Sequence, residues 1–152
     1  MNTYQFESLV REMCLHVGVK DWQSVLRASA IELDGRAVNV GYDEKCAPGR
    51  VSLSIDLGGP PDLAAPHYLL VENGVADAPD GWFALKAATG SVVYHASFTL
   101  TDDAQRGAKL ALAITALVEA ATLRFAQVAD ACLRDRAQIL AELGFANDGA
   151  TV

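Results

Sequence analysis

The residues best equipped for chemistry are few and scattered. Histidines stand at His16, His67 and His95, and cysteines at Cys14, Cys46 and Cys132. A zinc or iron site draws its ligands from closely spaced His, Cys and carboxylate residues. Each histidine falls on a different segment, without a second ligand at that spacing, so no metal is expected. Nucleophilic chemistry finds no better footing. No Gly-x-Ser-x-Gly elbow occurs, and no glycine loop suited to phosphate. Gly58-Gly59-Pro60-Pro61 has the glycines, but its prolines remove backbone donors, and it reads as a turn. Cys14 and Cys132 lie on apolar helical faces and read as packing residues. Cys46 falls in a loop where nothing nearby activates a thiol. His95 sits on the less apolar side of a strand and reads as a solvated or partly packed side chain. With no convergent set of polar groups, neither catalysis nor a cofactor is expected.

Charge is the remaining chemical signal. The chain has 12 Lys plus Arg against 19 Asp plus Glu, a formal net charge of −7. Nucleic-acid binding through phosphates needs a surplus of cations, so that partner is not expected. Asp56, Asp62, Glu72, Asp77, Asp80, Asp102 and Asp103 lie in a stretch whose only base is Lys86. The plainest reading is a solvated loop surface and a helix cap. The functional reading is a negative face that deters aggregation or complements a basic partner.

Size and composition bound the rest. A chain of 152 residues, 51% of them hydrophobic, makes one domain with a real core. Three scattered cysteines are no disulfide framework and suit a reducing cytoplasm. Glu7, Arg11 and Glu12 interrupt the first segment, so no signal peptide is expected there. The longest uncharged run, Ala87 to Thr101, carries Gly90 and many hydroxyls, so no membrane insertion is expected.

Hydrophobic spacing supplies the elements that must position any site. Phe6, Leu9, Val10, Met13, Cys14 and Val17 follow one helical face. Asn2 or Thr3 can cap its start, and Gly18 sits where a helix stops. Asp21 to Arg27 reads as one further turn. The period then changes to two: Ile31 and Leu33, the Asp34-Gly35 hairpin signal, then Val38, Val40 and Tyr42. Val51, Leu53, Ile55 and Leu57 alternate with Ser52, Ser54 and Asp56, as in an antiparallel strand with one buried face. Asp62 to Asn73 reads as a short helix with Asp62 as its cap, with a strand over Leu69-Leu70-Val71 as the alternative. Two strands follow, Trp82 to Ala87 and Val92 to Leu100, joined at Thr89-Gly90. Thr101-Asp102-Asp103 opens a last helix, apolar at Leu110, Ile114, Leu117, Ala121, Phe125, Val128 and Cys132. From Asp102 to Arg134 it spans roughly 50 Å at ~1.5 Å per residue, so it bends or extends along a partner. Ala137 to Leu143 can add a turn. One domain over residues 1–145 is expected, with 146–152 a flexible tail. The fold class is α+β: a twisted antiparallel sheet of about five strands with an N-terminal, a short middle and a long C-terminal helix.

This order resembles the class I type III secretion chaperones, the family typified by the Tir chaperone. The resemblance is carried by Val51-Ser-Leu-Ser-Ile-Asp-Leu57, Leu69-Leu70-Val71-Glu72-Asn73, Gly81-Trp-Phe-Ala-Leu85, Thr89-Gly-Ser-Val-Val-Tyr94 and the final helix through Leu133. It rests on pattern and order rather than on one specific motif. It implies a cytoplasmic homodimer that needs no cofactor and binds the extended N-terminal segment of a secreted effector protein. The secretion apparatus is a further partner by the same resemblance. Leu9, Met13, Val17, Phe83, Leu85 and Val93 are the implied effector contacts, and Leu63, Tyr68, Leu69 and Leu70 the implied dimer interface. Ordinary core is the competing role for each. Pro66 departs from a long interface helix and fits only a first helical turn. YbjN-type domains share a similar architecture, so a regulatory protein-binding role is the alternative.

Overall fold

The computed structural model describes residues 3–43, 45, 49–74, 81–99 and 105–143. Several expectations lie outside these: the Asn2 cap, Cys46, the acids Asp77, Asp80, Asp102 and Asp103, the Thr101-Asp102-Asp103 helix start, and the 146–152 tail. The elements run α1 (Thr3–His16), α2 (Trp22–Ala28), β1 (Ala30–Leu33), β2 (Arg36–Tyr42), β3 (Arg50–Gly58), α3 (Ala65–Asn73), β4 (Gly81–Leu85), β5 (Val92–Thr99) and α4 (Arg106–Glu142).

Local chemistry explains most boundaries. Helix α1 buries Leu9, Val10, Met13 and Cys14. It stops where expected, because Gly18 takes φ +81°. The Val19 amide then reaches the Cys14 carbonyl at 2.8 Å and the Gly18 amide the Leu15 carbonyl at 3.4 Å, a glycine-terminated Schellman end. Helix α2 makes two turns rather than one. The Asp21 carboxylate accepts from the Ser24 amide at 3.0 Å and from the Ser24 hydroxyl at 2.6 Å, satisfying its first turn. Between β1 and β2, Asp34 and Gly35 both have positive φ, 49° and 71°, the two-residue turn the Asp-Gly pair announces.

The sheet is antiparallel throughout, in the order β1-β2-β3-β5-β4. Chain order and sheet order part at β3. Helix α3 carries the chain to the edge, β4 forms there, and β5 folds back into the gap beside β3. Gly58, at φ +91°, marks a register shift that bends β3 as it leaves the sheet. Helices cover one face, where Leu9 and Met13 meet Leu110, Ile114, Leu53 and Tyr94 in one core. The opposite face carries Ser52, Ser54, Asp56, Trp82 and His95.

Two expectations need correction here. Asp62 is not the cap of α3. It closes the preceding turn, its carboxylate accepting from the Ala64 amide at 3.0 Å and its carbonyl from Ala65 at 3.1 Å. The helix starts at Ala65 with Pro66 in its first turn, where no intrahelical donor is lost, so the strand alternative falls. Helix α4, described from Arg106, does not end near Arg134 but continues without a break to Glu142. That is 37 residues, roughly 55 Å at ~1.5 Å each. Every residue from Leu133 to Leu143 is exposed, so the last three turns run past the core.

Helices α1 and α4 meet at a glycine. A Cβ added to Gly107 would lie 2.2 Å from Glu12 Cβ, and the α1 backbone is only 3.2 Å away. Gly107→Ala is therefore expected to cost about 1–3 kcal/mol by overpacking, despite the ~1 kcal/mol that alanine gains over glycine inside a helix. Urea unfolding measures it. Unchanged or raised stability would show that α1 yields freely at this contact.

Candidate interaction groove

Helix α3 lies along the edge strand β4, and between them is an open groove of 220 Å³. Pro66, Leu69 and Leu70 form one wall, and Phe83 and Leu85 the other, with Asn73 at one end. Leu69 and Phe83 are buried and make the floor. Leu70 and Leu85 are 70% and 46% exposed and make the rim. Two residues implied for the dimer and two implied for the effector thus share one apolar groove. Leu63, on the turn before α3, is 99% exposed.

The groove has a polar frame. The Asn73 carboxamide accepts from the Phe83 amide at 2.7 Å and donates to the Phe83 carbonyl at 2.9 Å. Behind it, Arg124 of α4 reaches the end of α3. Its guanidinium donates to the Glu72 carbonyl at 2.9 Å and to the Glu72 carboxylate at 3.3 Å. It also donates to the Tyr94 hydroxyl at 3.2 Å and stands 5.0 Å from the Phe83 ring centre. One cation therefore ties α4, α3, β4 and β5 together. It also faces the last carbonyls of α3, where positive charge is favoured. Tyr68 turns toward α4, its hydroxyl donating to Asp135, and that carboxylate pushes the phenol pKa upward. Arg136 approaches Asp62 at 3.6 Å beside it.

The other implied contacts scatter. Leu9 and Met13 have no exposed surface and belong to the core between α1, α4 and the sheet. Val17 is at the far end of α1, in a separate 410 Å³ cleft with Leu33, Asp34 and Leu112. Val93 is 2% exposed on the opposite sheet face, in register with Asp56 and Ala84. At that level Lys86 pairs with Asp56 across β5 at 3.1 Å. The Gly58 amide holds the Asp56 pKa below its usual value, with Lys86 adding to it. His95 packs against Trp82, and burial lowers its pKa.

Arg124 escaped the sequence reading, since a lone arginine on a helix carries no spacing signal. It also alters the charge reading. Asp62 and Glu72 face Arg136 and Arg124 of α4, so the acidic stretch is partly neutralised by cations from outside it.

No family model matches the sequence, and no curated protein matches it either. Among solved structures, a chain in the crystal structure of the ExsC–ExsE complex superposes with a TM-score of 0.58. This chain has the fold of that one. The match covers 78% of this chain and 90% of that chain, at 18% sequence identity. At such identity the likeness to the ExsC–ExsE complex is one of fold, and the side chains of the groove are this protein's own.

Proposed function

We propose that the protein is a type III secretion chaperone, cytoplasmic and non-enzymatic. In this reading it acts as a homodimer that binds the extended N-terminal segment of a secreted effector and keeps it competent for secretion. The observation that carries the reading is the fold shared with a chain of the ExsC–ExsE complex, a complex between two proteins. The surface agrees with it. Leu63, Leu70 and Leu85 leave apolar area uncovered around the α3–β4 groove. Helix α4 adds Leu112, Leu123 and Leu133, in a helix whose most apolar 18-residue window has a mean hydropathy of 1.4 and is only 33% buried. Grouped apolar surface of this kind marks interaction sites. An unfolded client loses entropy on ordering, and a large wrapped area offsets that cost.

Leu70→Asp and Leu85→Asp place a charge on the rim without entering the core. Each is expected to leave folding intact and to weaken either self-association or client capture by about tenfold or more, the effect of roughly 1.4 kcal/mol. Sedimentation of the purified variants reads the first. Co-purification with the secreted protein bound by the wild type, followed by limited proteolysis, reads the second. Protection of an extended N-terminal segment of that protein supports the proposal. Wild-type behaviour of both variants in both assays removes the groove from it, and recovery only of a folded partner held elsewhere removes the chaperone reading.

A further inference from the structure

Strand β4 is the edge of the sheet next to α3, and its composition is hazardous. Gly81-Trp82-Phe83-Ala84-Leu85 is uncharged, apolar and free of proline, and its register with β5 has no bulge. Native edges are normally blunted by a charge, a proline, a bulge or extreme shortness. The other edge, β1, has only four residues and carries Glu32. Among the described residues, the charge next to β4 along the chain, Lys86, lies beyond the strand and is engaged by Asp56. Within the described β4 none of these devices is present, and its cover is helix α3 beside it.

Asn73 supplies another. In an antiparallel edge strand, alternate residues turn both main-chain groups away from the sheet. Lys86 donates its amide to the Ser91 carbonyl, so the even-numbered residues of β4 face β5 and Phe83 faces outward. Both outward groups of Phe83 are taken by the Asn73 carboxamide, at 2.7 Å and 2.9 Å. A side-chain amide has the same donor and acceptor pair as a peptide group. Asn73 thus makes the two hydrogen bonds that a neighbouring strand would make at this position. Arg124, bonded to the adjacent Glu72 carbonyl and carboxylate, holds the end of α3 in place for it.

We propose that Asn73 is a one-residue surrogate strand that seals the outer edge of β4 against the β4 strand of a second copy of this chain. Without it, two copies can pair antiparallel about Phe83, each exchanging an amide and a carbonyl with the other. The proposal concerns this edge alone and does not depend on the chaperone reading.

Asn73→Ala tests it, with Asn73→Leu as the variant that removes both hydrogen bonds while nearly conserving volume should the alanine protein fail to fold. Amide exchange at Phe83 in dilute solution is expected to quicken by about tenfold, the size of one net hydrogen bond, while Trp82 and Ala84 hardly change. Sedimentation is expected to reveal a concentration-dependent species larger than the wild-type one. Adding Trp82→Lys, a charge on the exposed edge strand, is expected to return the assembly to its wild-type size. Faster Phe83 exchange without the larger species overturns the sealing role. So does a larger species that persists with Trp82→Lys. Unchanged Phe83 exchange in a folded variant overturns the proposal at its root.

Discussion

Alanine at Leu9 or Met13 is expected to lower stability by about 2–5 kcal/mol, the cost of emptying a well-packed core position. Both side chains have no exposed surface. They sit where α1 meets α4 and the sheet, so the space they leave cannot be reached by solvent or closed by a loop. For a domain of this size the loss appears as a fall in Tm of roughly 4–20 °C. Thermal and urea unfolding read it directly. The same residues are implied effector contacts, and the experiment separates the two roles. A core residue loses stability first, and client capture falls only as the folded fraction falls. A contact residue loses capture while Tm holds. Tm unchanged with capture lost would falsify the core assignment and show that α1 opens its buried face to the client.

Removing the Arg124 guanidinium is expected to cost about 1.5–3 kcal/mol, the range for losing charge-assisted hydrogen bonds in a partly buried pair. Arg124→Ala takes the cation away from the Glu72 carboxylate and from the Phe83 and Tyr94 rings. It also withdraws a donor from the Glu72 carbonyl at the end of α3 and from the Tyr94 hydroxyl. Arg124→Lys is expected to recover only part of the loss, because an ammonium cannot fork between Glu72 and Tyr94 or lie flat on the rings. Glu72→Gln, which keeps the carbonyl contact, is expected to be milder than either. Urea denaturation of the three variants gives the order. A loss below about 1 kcal/mol for Arg124→Ala would mean the pair behaves as an exposed one. The groove depends on the same residue, so Arg124→Ala is also expected to loosen the Asn73–Phe83 contact. Amide exchange at Phe83 reports that separately from global stability.

What was legible in the sequence follows from the range of the forces involved. Alternation over Val51 to Leu57 announces a strand with one buried face because neighbouring side chains of a strand point to opposite sides. The Asp34-Gly35 turn and the Gly18 helix stop were readable because they are decided by backbone freedom within a few residues. Helix α3 was ambiguous for the same reason. Leu69-Leu70-Val71 satisfies both periods, and the decision falls to Pro66 at its start and to packing on α4 and β4.

The sequence by itself determined the order of the elements, the type of each except α3, and the alternation that makes one sheet face apolar, all set by neighbours close along the chain. Only the tertiary structure decided that β5 enters between β3 and β4 and that Leu9 and Met13 are sealed while Leu70 and Leu85 stay open. It alone placed Arg124 on Glu72, 52 residues away, and Asn73 on Phe83, 10 residues away. The physical reason is common to all of these. A polar group withdrawn from water, even in part, needs a partner wherever the fold can bring one, and helical or strand periodicity carries no information about which distant residue that will be.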